Sequence, residues 1–226
     1  MRRTMYVLLL SLCLVNQAHG QADFSSSSII TGEIISADPG LEISLGIMNL
    51  EDSFSFGIAS STVQTSDENF SLLNTGELFE VSSGANGNAF SGNSDAFGVT
   101  DGLLSFFNAT NQTLNATVAF DISLSTDSSA IGFLDNGSAF ADFLIDVNGT
   151  TFDANDIESL SFLNNGAVNF NDSFEIDLIV APSGFSDVGL QVGSLGVAIG
   201  TATIPEPSSL VVIAMTLCAL ATKRRR

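Results

Sequence analysis

Residues 116–125 read Ala-Thr-Val-Ala-Phe-Asp-Ile-Ser-Leu-Ser, and this stretch decides the fold class. Every second residue is apolar, and most of the residues between them are small or polar; the apolar set is Ala116, Val118, Phe120, Ile122 and Leu124. A period of two places one set of side chains on one face of a β-strand and the other set on the opposite face. The stretch therefore predicts a strand that is half buried.

Less regular alternation recurs on both sides of this strand. It predicts strands at residues 29–35, 41–50, 54–59, 77–81, 103–107, 140–147, 157–162, 174–180 and 197–204. The pairs Asn136-Gly137, Asn148-Gly149 and Asn165-Gly166 are typical of tight turns between such strands. No helical apolar period is sustained between residues 21 and 204. We expect an all-β domain, a single antiparallel β-sandwich of jelly-roll-like form built from about ten short strands.

Two segments of this domain have compositions that predict loops. Residues 82–101 are rich in Gly, Asn and Ser and include Asn86-Gly87, which predicts a long loop. The serines at 25–28 predict a flexible linker.

The eighteen Phe supply most of the aromatic bulk of the chain. We expect the core to include Phe54, Phe56, Phe106, Phe120, Phe143 and Phe174.

The first twenty residues have the organisation of a signal peptide. Arg2 and Arg3 precede an apolar run at residues 5–15, and a small-x-small pattern ends at Gly20. We expect cleavage after Gly20 by signal peptidase. The alternative is a retained membrane anchor. The apolar run is short for that role, because a membrane-spanning helix needs about 20 apolar residues.

The last residues combine a proline motif, an apolar run and a basic tail. Pro205, Glu206 and Pro207 precede the apolar residues 210–221, and the tail ends in Lys223, Arg224, Arg225 and Arg226. As an α-helix the apolar run is about 18 Å long, against a bilayer core of about 30 Å. A basic cluster stays on the cytoplasmic side, so the tail predicts a transient stop in the inner membrane. The alternative is an ordinary tail anchor behind a proline-rich linker.

In this order the three parts resemble the PEP-CTERM sorting region. The resemblance implies that an exosortase recognises Pro205, Glu206 and Pro207, removes the helix and basic tail, and releases the protein to the cell envelope or extracellular matrix. It also implies a Gram-negative host that makes exopolysaccharide. We divide the chain into a signal peptide at residues 1–20, an acidic domain at 21–203 and a sorting region at 204–226. The resemblance covers the last of these alone.

The composition of the middle domain excludes most catalytic mechanisms. All six Lys and Arg, the single His, both Cys and the single Tyr lie in the two terminal segments, and the chain has no Trp. Nucleophilic triads, His or Cys metal centres and phosphate sites need those side chains. We therefore expect a protein that is not an enzyme, and the one remaining enzymatic alternative is a glycosidase that uses a pair of carboxylates.

The negative charge of the middle domain limits its partners. All 25 Asp and Glu lie between Asp23 and Glu206, with no basic residue among them. Such a charge excludes nucleic acid and anionic lipid as partners. It also predicts that salt or divalent cations stabilise the fold by screening self-repulsion.

Residues 146–158 concentrate the oxygen ligands that Ca²⁺ prefers. Asp153, Asn155, Asp156 and Glu158 are the best candidate ligands, and Ca²⁺ is the only cofactor that the sequence suggests. The pattern departs from an EF-hand loop, because Thr151 stands where that loop has glycine. The preferred interpretation is a hairpin that turns at Asn148-Gly149, followed by a polar loop and another strand.

We therefore expect an exported, non-enzymatic protein of the cell surface or extracellular matrix that associates with exopolysaccharide or with other surface proteins. The alternative is a Ca²⁺-dependent carbohydrate-binding module, and a carboxylate-pair glycosidase is the less favoured third interpretation.

Overall fold

The computed structural model describes residues 21–131, 135–161 and 166–201. These residues form nine strands and no α-helix. The strands are β1 (Ala22–Ala37), β2 (Leu41–Thr65), β3 (Phe70–Leu73), β4 (Leu78–Asn108), β5 (Leu114–Ala130), β6 (Asn136–Val147), β7 (Thr150–Leu160), β8 (Val168–Val180) and β9 (Phe185–Thr201). The prediction of an all-β fold is confirmed, although several strands are much longer than the sequence indicated.

All nine strands belong to one antiparallel sheet. Its order is β7-β6-β9-β4-β1-β5-β8, with β2 paired to β4 and β3 paired to β2. The antiparallel arrangement that the number of short strands predicted is confirmed.

The long strand β4 joins the two halves of this sheet. Residues 78–89 of β4 pair with β1, and residues 91–107 pair with β9. The sheet bends back on itself between these two parts, so that β1 and β9 face each other. The hydroxyl of Ser26 donates to the carbonyl of Leu195 over 3.2 Å, and the hydroxyls of Ser83 and Ser194 are 2.7 Å apart.

At the other side of the sheet, the terminal strands β7 and β8 approach each other. The rings of Phe152 on β7 and Phe174 on β8 have their centroids 5.3 Å apart. The antiparallel sheet is therefore nearly closed around its core.

The core has a wide part and a narrow part. The wide part holds the large buried side chains of seven strands, among them Phe106, Phe120 and Ile145. The narrow part holds one large residue, Phe24, among small ones: Ala22, Ala85, Ala89, Ala96, Ala139 and Ala198. The facing halves approach most closely where the side chains are smallest.

Both loop predictions were wrong. Residues 82–101 lie inside β4, and residues 25–28 lie inside β1, where Ser26 and Ser28 are buried. Small residues are needed here because the two halves of the sheet lie close together. The hydroxyl of Ser28 donates to the carbonyl of Gly193 on the facing strand β9.

The core prediction was right for three of the six Phe. Phe106, Phe120 and Phe143 are buried, and Phe174 is partly buried against the core. Phe54 and Phe56 are 57% and 71% exposed, so their assignment to the core was wrong. They lie on the part of β2 that extends beyond the core.

The turn predictions had mixed outcomes. Asn148 and Gly149 have φ of 53° and 76° between β6 and β7, which confirms the predicted hairpin turn. Asn136-Gly137 begins β6 and Asn86-Gly87 lies inside β4, so neither pair is a turn. Asn165 lies outside the described residues.

The predicted signal peptide and the predicted sorting region also lie outside the described residues. Within residues 21–131, 135–161 and 166–201, the structure contains no helix with the length and apolar character needed to cross a membrane.

Candidate functional site

An open groove of about 490 Å³ crosses the outer face of the sheet over β2, β4, β9 and β6. The residues that line it on this face are Gly46, Met48, Asp101, Leu103, Gly189, Gln191, Leu144 and Asp146, with Asn69 at one end. Four strands and the β2–β3 connection contribute to it, so its shape depends on the register of the whole sheet.

The groove exists because glycines interrupt two of the strands at the same level. Gly46 is paired with Leu103, Leu103 with Gly189, and Gly189 with Asp146. In the adjacent row each residue carries a full side chain: Met48, Asp101, Gln191 and Leu144. Paired residues of antiparallel strands project from the same face, so this row lacks side chains at Gly46 and Gly189 and is lower there than the adjacent row.

The floor of the groove is apolar at its β2–β4 end. Met48 and Leu103, on these neighbouring strands, are 69% and 51% exposed, and Leu144 on β6, two strands from β4, is half-buried. Exposed apolar residues that line a concavity are typical of a binding site.

The polar groups of the groove are held in place by neighbours. The amide Nε2 of Gln191 donates to Oδ1 of Asp101 over 2.7 Å. Oδ1 of Asp146 accepts the backbone N–H of Gly149 over 3.0 Å, and Oδ2 of Asp146 lies over the backbone of Gly189. These bonds leave oxygen atoms as the main hydrogen-bonding groups that face a ligand.

A second pair of carboxylates lies one row further along the outer face. Asp142 on β6 is paired with Asp156 on β7 and, on its other side, with Gly193 on β9. Burial raises the pKa of Asp142, and the negative charge of Asp156 raises it further, while a hydrogen bond from the backbone of Gly193 opposes both effects. Asp142 and Asp156 are therefore two interacting carboxylates on neighbouring strands of the outer face.

The four candidate Ca²⁺ ligands all lie on β7, in a strand and not in a loop. Asn155 is paired with the buried Phe143, whereas Asp156 is paired with Asp142 on the outer face. Alternation therefore places Asp153 and Asn155 on the inner side of the strand and Asp156 and Glu158 on the outer side. The structure does not bring the four side chains to one face. Within the described parts of the chain, no group of three or more His, Cys, Asp or Glu is placed to hold a metal ion.

The predicted sorting residues, Pro205, Glu206 and Pro207, and the basic residues from Lys223 to Arg226 lie outside the described residues. The groove was not found from the sequence. Its two glycines, Gly46 and Gly189, are far apart in the chain, and only the sheet register brings them into one row.

No family model matches the chain, and neither a curated protein nor a solved structure matches it. Its function is therefore inferred from its own residues.

Proposed function

We propose that this chain is an exported, non-enzymatic protein of the cell surface or extracellular matrix, and that it binds saccharide chains of an exopolysaccharide through the groove on β2, β4, β9 and β6. The observation that carries this proposal is the groove itself, which combines an apolar floor with fixed oxygen atoms. A sugar ring presents an apolar C–H face and a rim of hydroxyl donors, and the two halves of the groove match those two features.

The shape of the groove also supports a polymer as the ligand. The groove is open and crosses four strands, so it has room for a ligand longer than one sugar ring. Enzymes and small-molecule sites usually enclose most of their ligand. An open groove on a rigid sheet supports binding to a repeating polymer without chemical conversion.

The test uses the purified full chain and the exopolysaccharide of its host in a sedimentation binding assay. Gly46→Leu fills the groove, and a Cβ at position 46 meets its nearest atom, on Phe70, at 3.9 Å, so the variant is expected to fold. We expect Gly46→Leu to weaken binding at least about tenfold. Gly84→Leu is the matched control, because its Cβ meets only ordinary contacts at 3.6 and 3.8 Å and lies outside the groove. Equal binding by both variants would refute the groove as the site.

Other surface proteins are the second candidate partners, and one observation favours them. On β2, the residues Leu50, Phe54, Phe56 and Ile58 are each more than half exposed on one face of the strand. Clusters of this kind mark protein interaction surfaces. Cross-linking on intact cells tests this by comparing the parent chain with the Phe56→Ser variant. A partner protein that is cross-linked equally to both chains argues against this surface.

The carboxylate-pair glycosidase has one supporting feature, the adjacent Asp142 and Asp156. Release of reducing sugar from the host polysaccharide, lost in Asp142→Asn, would establish that activity and overturn the non-enzymatic proposal.

We propose that the domain at residues 21–203 is a jelly-roll-like sandwich. This proposal is supported by the face-to-face packing of β1 and β9 across the core.

We also propose that residues 204–226 are an exosortase-processed sorting region behind a cleaved signal peptide. Expression in the host with Pro205, Glu206 and Pro207 all changed to Ala tests this. We expect a longer form retained in the inner membrane, whereas Ser208→Ala is released like the parent chain. Normal release of the triple variant would refute this proposal.

A further inference from the structure

We infer that the groove selects saccharides that carry protonated amino groups, such as a polysaccharide of incompletely acetylated amino sugars. This inference rests on the proposed saccharide-binding function and names the chemical class of the ligand.

The charge of the groove and of its surroundings is the first argument. Asp101 and Asp146 line the groove, and Asp142 lies in the next row on the same outer face. Residues 21–201 contain no Lys, Arg or His. A polysaccharide with carboxylate groups would meet only like charge here, whereas an ammonium group would meet carboxylates. Electrostatic complementarity therefore favours a cationic sugar over an anionic one.

The hydrogen-bonding groups of the groove are the second argument. Gln191 donates one of its two amide N–H groups to Asp101, and its amide oxygen adds an acceptor to the lining of the groove. The carboxylate of Asp146 lies over Gly189, where a ligand in the groove would contact it. The groove therefore offers mainly acceptors, and an ammonium group has three donors and no acceptor.

The apolar floor is the third argument, because it separates an amino sugar from a simple polyamine. Met48 and Leu103, on the neighbouring strands β2 and β4, form an apolar surface that suits the C–H face of a pyranose ring. A flexible polyamine would not need such a floor and would bind any acidic surface of the protein. The combination of floor and carboxylates fits a ring that carries a positive charge.

The test is isothermal titration calorimetry with the purified full chain at about 0.15 M NaCl, which screens long-range attraction. The two probes are a β-1,4-linked glucosamine tetramer and its fully N-acetylated counterpart, which differ only in the amino groups. We expect the free-amine tetramer to bind about tenfold more tightly or better. Asp101→Asn and Asp146→Asn are each expected to reduce this preference several-fold.

The matched control is Glu175→Gln, which removes the same charge from an exposed position on β8. We expect it to keep the full preference. An equal loss in Glu175→Gln, or equal affinity for the two tetramers, would overturn the inference, because the attraction would then be unspecific or absent.

Gly46→Leu separates failure of this inference from failure of the proposed function. If both tetramers bind equally and Gly46→Leu abolishes both, the groove is a saccharide site and only the selection of amines is wrong. If Gly46→Leu changes neither affinity, the groove is not the saccharide site, and the proposed function and this inference both fail.

Discussion

The ring of Phe24 on β1 lies directly over Gly196 on β9, in the space that a side chain at position 196 would occupy. The same ring lies against Gly87 of β4, so it is held between two glycines. Phe24 is 3% exposed and is the one large residue in the narrow part of the core. The close approach of the two halves of the sheet therefore depends on glycine at these positions.

We expect Gly196→Ala to destabilise the protein by about 1–3 kcal/mol, because the added methyl group overpacks against Phe24. Gly46→Ala is the matched control in a neighbouring part of the sheet, where a Cβ has its nearest neighbour at 3.9 Å. We expect that variant to be neutral or up to about 1 kcal/mol more stable, because alanine has less freedom in the unfolded chain. Urea unfolding measures both, and equal midpoints would contradict the close packing at Phe24.

Phe120 and Phe56 provide a contrast between the core and the exposed part of β2. Phe120 is 1% exposed, and its ring lies 6.2 Å from that of Phe79 and 5.8 Å from that of Phe174. We expect Phe120→Ala to cost about 3–5 kcal/mol and Phe56→Ala, at 71% exposure, to cost less than about 0.5 kcal/mol. Chemical denaturation of both variants provides the measurement. A large loss in Phe56→Ala would show that its surface is covered.

These two Phe also show how far alternation in the sequence could predict the fold. A period of two correctly assigned Phe120 to the buried face of β5, because the whole strand lies against the core. In β2 the apolar residues change face: Ile43, Leu45 and Ile47 are buried, whereas Met48 and Leu50 are exposed. Alternation shows which side chains share a face, but only the tertiary structure shows which face is covered.

The serines at 25–28 and the glycine-rich residues at 82–101 could not be assigned to strands from composition. Gly, Ser and Asn have low β-propensity and are frequent in loops, so local preference predicted loops. The packing of β1 against β9 overrides that preference, since only small residues fit between the two strands. The groove was hidden for a related reason, because Gly46 and Gly189 align only through a register that involves three strands.

Asp142 is expected to make the stability of the protein depend on pH. Burial and the charge of Asp156 raise the pKa of Asp142 in the folded state. Folding therefore favours the protonated carboxyl of Asp142. The stability that this protonation contributes is complete below the ordinary pKa of about 3.9 and is lost as the pH rises through the raised pKa of the folded state. We expect Asp142→Asn to be more stable than the parent chain at neutral pH, with the difference disappearing below that ordinary pKa.

The free energy of unfolding as a function of pH, measured for both chains, checks this prediction. Asp156→Asn is the matching variant, because it removes the neighbouring charge and should lower the pKa of Asp142 in an NMR titration. A constant difference between Asp142→Asn and the parent chain at all pH values would show that burial and Asp156 do not act on this carboxyl.

The response to calcium distinguishes charge screening from a specific site. The domain carries many carboxylates and no basic residue, so NaCl should raise the midpoint of thermal unfolding by weakening self-repulsion. The four candidate ligands on β7 are divided between two faces of the strand, with Asn155 opposite Phe143 and Asp156 opposite Asp142. We therefore expect CaCl₂ to raise the midpoint no more than NaCl does at matched ionic strength, and EDTA to have no effect.

A larger rise with CaCl₂ that disappears in Asp156→Asn and in Glu158→Gln would contradict this expectation. It would favour a Ca²⁺-dependent carbohydrate-binding module, because a ligand that binds only the folded state raises the midpoint, by an amount that grows with the logarithm of its concentration relative to its Kd.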